Sequence, residues 1–77
     1  MSYIDEHRAS GFQVGDRVRV FAVCKSYSEG WLYMWTDGMN RRVGLEDVIE
    51  SDGGDRGFLL RTACAYFPWH VLEKIND

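Results

Sequence analysis

The chain has 77 residues, enough for one small domain, and buries only about 60–65% of its unfolded surface on folding, so its core is thin. Charged residues at 27% and hydrophobic residues at 45% exclude a wholly disordered chain, and the net charge of −3 argues against a general nucleic-acid binder, whose affinity comes mainly from phosphate neutralisation. The one compositional excess is aromatic: three Trp, four Tyr and four Phe, 14% of the chain.

Residues 1–12, beginning MSYIDEHRAS, are polar and aperiodic. They read as a flexible N-terminal arm with at most one helical turn at Asp5–Ala9, ahead of a single domain over residues 13–77. The opening lacks the apolar stretch of an export signal, and no apolar run reaches the ~18 residues of a membrane span, so the expectation is a cytoplasmic protein without membrane contact. Gly15-Asp16 is a turn signal. From Asp16 to Lys25 the sequence DRVRVFAVCK alternates, with Val18, Val20, Ala22 and Cys24 on one face and Arg17, Arg19, Phe21, Val23 and Lys25 on the other. That period of two predicts a strand. Phe21, between apolar neighbours, is expected in the core with Phe58 and Phe67.

Residues 26–40 lose the alternation and carry Gly30 and Gly38. Trp31, Trp35 and Met39 are spaced by four, but two glycines in so short a stretch oppose a stable helix, and a long aromatic loop is predicted. A second strand is predicted over 42–50 with Val43, Val48 and Ile49 inward. A tight turn follows at Ser51–Asp55, then a third strand over 57–63. A fourth over 63–67 would be continuous with it through a kink at Arg61-Thr62. Pro68 ends that strand and sets a turn through His70, and Val71, Leu72 and Ile75 form a short last strand. Five short strands, one long first loop and no convincing helix predict an all-β fold, a small five-stranded barrel.

Gly15-Asp16-Arg17-Val18-Arg19-Val20 resembles the opening strand of many SH3-like barrels. Gly30-Trp31, Trp35, Met39 and Val43-Gly44 are similar to a G-W-x(3)-W-x(3)-M-x(3)-V-G pattern, and Phe67-Pro68-Trp69-His70-Val71-Leu72-Glu73 to an F-P-x-x-V-L-E closure. Both patterns resemble small SH3-like proteins of phages and bacteria, distantly similar to the SH3-like repeats of mind-bomb-type ubiquitin ligases. The likeness spans residues 13–74. It implies an SH3-like fold and a binding role, and with a phage origin, a modulator or inhibitor of a host protein acting in the host cytoplasm.

No pair among His7, Cys24, Cys64 and His70 has the close spacing of a structural zinc site, so no metal and no cofactor is expected. Both cysteines lie in apolar runs and read as buried free thiols. A Cys64–His70 nucleophile pair is poorly supplied and no enzyme is expected; Glu46-Asp47 and Asp52/Asp55 read as solvated turn acids. A barrel this small cannot bury every large ring. Tyr27, Trp31, Tyr33, Trp35, Trp69 and His70 are therefore the candidate protein-binding residues, with Trp31 and Trp35 open between core and surface, and Trp69, held on the proline turn, the best-placed of them. Tyr66 shares the surplus. Arg17, Arg19, Arg41 and Arg42 form the alternative, a nucleic-acid edge; Arg41, Arg42, Arg56 and Arg61 otherwise neutralise nearby acids. A third reading is a structural protein that buries its aromatic surplus on itself, leaving monomer or homodimer open.

Overall fold

A computed structural model describes residues 3–27 and 30–75. Five short antiparallel strands form one sheet: β1 (Arg17–Val20), β2 (Glu46–Asp52), β3 (Phe58–Leu60), β4 (Ala65–Phe67) and β5 (Leu72–Lys74), in the order β4-β3-β2-β1-β5. Among the described residues the fold is mostly β, with two short helices beside the sheet, but the expected closed barrel is not formed. The sheet is open: β4 and β5 lie at its two ends, and the strand order pairs neither with the other.

The inward face of β1 follows the alternation read from sequence. Val18 and Val20 are fully buried, and Cys24 continues their row beyond the end of the strand. The strand itself stops at Val20, short of the expected Lys25; its registers run on by one last bond on each side, from the Phe21 N–H to the Val71 carbonyl and from the Gly44 N–H to the Val20 carbonyl. Phe21 is a correction. It is 51% exposed, on the face its period had assigned to Arg17 and Arg19. Ile49, Leu60, Phe58, Phe67, Val71 and Leu72 complete the core that rests on the sheet. A register shift between Ile49 and Ser51 marks a bulge in β2, where its partner changes from β1 to β3.

The segment joining β3 and β4 is not a kink in one long strand but a tight turn at residues 61–64 between two antiparallel strands, with Leu60 paired to Ala65. Its fastening comes from outside. Asp47, only 7% exposed, accepts the N–H of Thr62 (2.9 Å) and Ala63 (2.9 Å) as well as that of Val48 (2.8 Å). Asp47 is thus no solvated turn acid. Burial pushes its carboxyl up, but these backbone donors and the Thr62 hydroxyl outweigh burial and hold it below the usual carboxylate range. Cys64 is a second correction: it sits in the turn at φ 53 and is exposed, whereas Cys24 is buried. No disulfide joins the two.

The N-terminal reading also changes. Tyr3–Ala9 form a helix, α1, docked against the turn after β2. Tyr3 and His7, one turn apart, are its buried residues. The His7 ring is 2% exposed, stacks on Phe58 at 4.0 Å and holds Asp52 through Nε2 at 2.7 Å. Burial raises the Asp52 carboxyl, but the Gly54 N–H, the His7 ring and the Arg8 charge together pull it below its ordinary value. The Tyr3 hydroxyl accepts the Trp69 N–H at 3.1 Å, and burial pushes its ionisation up to about 12. The turn from β2 into β3 contains a one-turn 3-10 helix, Gly54–Arg56. It ends at Gly57, where φ is +106 and any Cβ would lie 2.3 Å from the Phe67 carbonyl oxygen, so only glycine fits. A second 3-10 turn, Trp69–Val71, joins β4 to β5.

Candidate functional site

The long connection from β1 to β2 positions the site. Among its described residues it holds a one-turn helix, α2 (Asp37–Asn40), where an unbroken loop was expected. Thr36 caps it by accepting the Met39 N–H, and the Thr36 N–H reaches the Met39 sulfur. Across the loop, Tyr27 N–H donates to the Tyr33 carbonyl and Trp35 N–H to the Ser26 hydroxyl. Two indoles anchor it to the sheet. Trp31 is 1% exposed and its Nε1 donates to the Arg56 carbonyl at 2.8 Å. Trp35 meets Phe67 edge-on at 5.6 Å and Trp31 at 6.5 Å, and its Nε1 donates to Asn40. Gly30, at φ +80, lets the loop approach α1, since a Cβ there would lie 3.1 Å from that of Tyr3.

Between this loop and β4 runs a groove made of two adjoining cavities. The first, about 250 Å³, has Trp31, Tyr33, Met34, Thr36 and Met39 on the loop side and Arg56, Ala65 and Tyr66 opposite. The second, about 280 Å³, shares Thr36, Met39 and Ala65 and extends to Arg42, Cys64 and Phe67. Arg56 lies over the Tyr66 ring, 4.9 Å from its centre. Met34, which lines the first cavity, is 62% exposed, and its loop neighbour Leu32 is 68% exposed. Of the eight large hydrophobics exposed among the described residues, six lie within residues 21–34, so the surplus gathers on this one loop.

Of the six aromatic candidates, the structure brings Trp31 and Tyr33 into the groove. Trp31 serves as its buried floor, which settles it as core. Tyr27 is exposed on the same loop but away from the lining, and Trp35 is half-buried behind it. Trp69 and His70 stand edge-to-face at 5.7 Å in the turn before β5, outside the groove, and Trp69 is half-buried against the core. Sequence reasoning missed Met34, Met39 and Arg56 as groove residues. Tyr66 was read only as part of the aromatic surplus.

The candidate nucleic-acid edge is largely neutralised. On the outer face of β1, Arg19 sits directly across from Glu46 on one side and Glu73 on the other, with ion pairs at 3.2 and 3.3 Å, and Arg17 pairs with Glu46 at 2.8 Å. Arg42 lies 3.6 Å from Asp47, and Arg41 is exposed at the end of α2. Such surface pairs add little stability, but they cancel the field a phosphate backbone would need. Among the described residues, no group of three or more His, Cys, Asp or Glu could hold a metal ion, and no helix is long and apolar enough to cross a membrane. Compared with family models, curated proteins and solved structures, the chain finds no match.

Proposed function

We propose that the protein is a non-enzymatic binding module of SH3-like type that recognises a protein partner through the β1–β2 loop and its groove. The strand order, with β1 shared between β2 and β5, supports the SH3-like reading, as do the long first connection and the single 3-10 turn between β4 and β5. The observation that carries the binding role is the clustering of exposed apolar side chains on one anchored loop. Leu32, Tyr33 and Met34 face solvent while Trp31 and Trp35 fix the backbone beneath them. A rim held in place loses little entropy on binding, and aromatic and methionine side chains suit protein interfaces. The neutralised arginine face gives the nucleic-acid reading less support. If the chain is phage-encoded, a host protein is the fitting target and the complex would modulate or inhibit it.

Selection of a phage-displayed random peptide library on the folded protein tests this. Enriched peptides are expected to lose binding to a Tyr33→Ser/Met34→Ser variant that melts like wild type, and to retain it from low to moderate salt. Selection that yields no consensus, or binding that survives the double substitution, would refute the reading.

A further inference from the structure

We propose that the open edge of β4 takes an extended, acidic-aromatic segment of a partner protein, laid in the groove as an additional strand. This rests on the binding role above and names the partner's chemistry. β4 ends the sheet, and among the described residues Ala65, Tyr66 and Phe67 make no backbone hydrogen bonds beyond their ladder with β3. An edge with unpaired N–H and C=O groups is a template for another strand. Pro68 limits that edge to three residues, so main-chain bonds alone are too few for specificity and side chains must supply it.

The groove beside the edge defines those side chains. Its first cavity is walled by Trp31, Met34 and Met39, a fit for one large apolar or aromatic group. Neither cavity is lined by a carboxylate, although the chain as a whole is acidic; the ionised groups in the walls are Arg56 and Arg42. Arg42 is drawn toward Asp47 at 3.6 Å. Arg56 donates to the Gly53 carbonyl and rests on Tyr66, and among the described residues no acid lies within ion-pair distance of it. A carboxylate on the incoming segment would complete its hydrogen bonding. A second copy is the poorer occupant: its own groove also carries Arg56 and no carboxylate, so two such grooves would set like charges together and leave Arg56 without an acid.

The probe is a set of hexapeptide libraries, acetylated and amidated, each with a fixed Phe and a fixed Glu, Gln or Lys, titrated against the full chain by fluorescence polarisation. The Glu library is expected to bind about tenfold more tightly than the Gln library, with Lys weaker still, as a charge-assisted hydrogen bond requires. That preference should vanish in Arg56→Met and persist in part in Arg56→Lys. Hydrogen exchange on the wild-type complex should show added protection at 65–67, and this reading needs no variant to fold. Equal binding of the three libraries, protection absent from β4, a preference unchanged in Arg56→Met, or a dimer by light scattering at the assay concentration would each overturn the proposal. Binding without charge preference, with protection confined to 31–34, would remove the strand addition and leave the binding role standing. No binding by any library would remove both.

Discussion

Asp47 offers the sharpest test of how this small fold holds its β3–β4 turn. Its Oδ1 accepts from Val48 and Thr62, and its Oδ2 from Ala63, with Arg42 beside it. Replacing it by alanine strands those donors. A hydrogen bond to a charged group contributes about 1.5–3 kcal/mol, and part of that returns as water reaches exposed Thr62, so Asp47→Ala should cost about 3 kcal/mol. A domain of this length has a total stability of about 4–11 kcal/mol. The melting temperature should therefore fall by about 12–24 °C at neutral pH, read by circular dichroism. Asp47→Asn keeps an acceptor for Val48 and Thr62 but turns an amide toward Ala63 N–H, so about half that loss is expected. The pH dependence adds an independent check. A carboxyl held below its unfolded value contributes stability that is present above the unfolded pKa and lost as pH falls through the folded one. Wild type should thus lose stability on acidification below about pH 4, and Asp47→Ala should lose less, while the contribution of Asp52 remains. A melting point within about 3 °C of wild type at pH 7, or an unchanged acid slope, would show that the turn does not depend on this carboxylate.

Phe21→Ala should move the melting temperature by only a few degrees, because the ring is half in solvent, whereas Phe67→Ala opens a core cavity, costs about 3–5 kcal/mol and leaves little folded protein; matched thermal melts compare them. In the native protein a thiol reagent should modify Cys64 quickly and Cys24 only after denaturation, and slow reaction at both positions would contradict the exposed turn. Tyr3, its ionisation raised to about 12, should make the fold lose stability as pH climbs past the unfolded value near 10, and Tyr3→Phe should abolish that alkaline loss while costing about 1–2 kcal/mol at neutral pH through the stranded Trp69 N–H.

The sheet was legible where the signal was local. Alternation placed Val18, Val20 and Cys24 inward, and the glycine, proline and acidic clusters marked the turns. Phe21 shows where residue type misleads: the period had already put it with Arg17 and Arg19, and only its apolar character suggested the core. α1 leaves little trace in the sequence because it buries only Tyr3 and His7, one of them a histidine, which make no apolar stripe although they are spaced by four. Nothing local marks Asp47 as the fastening of a distant turn, since Thr62 and Ala63 lie 15 and 16 residues downstream. Cys64 stands between two alanines and looks packed, yet the turn's geometry faces it outward. In the groove, the aromatic excess was visible but its division was not. Trp31 is buried with a bond to Arg56, 25 residues away, and Trp35 is half-buried against Phe67, so the sorting of rings between core and rim is decided by contacts no short window contains.

The position of β1 in the sheet orders the assembly of the molecule in time. β1 pairs with β2 on one side and with β5 on the other, and Val18 meets Lys74 across that second ladder. The β3–β4 hairpin closes over a few residues and can form early, but the β1–β5 ladder must bridge more than fifty residues, and such distant pairing slows the search. Until β5 is paired, one flank of β1 stays open. The arginines on its outer face, which the finished fold pairs with Glu46 and Glu73, are the kind of strand charge that opposes edge-to-edge association while that flank is open.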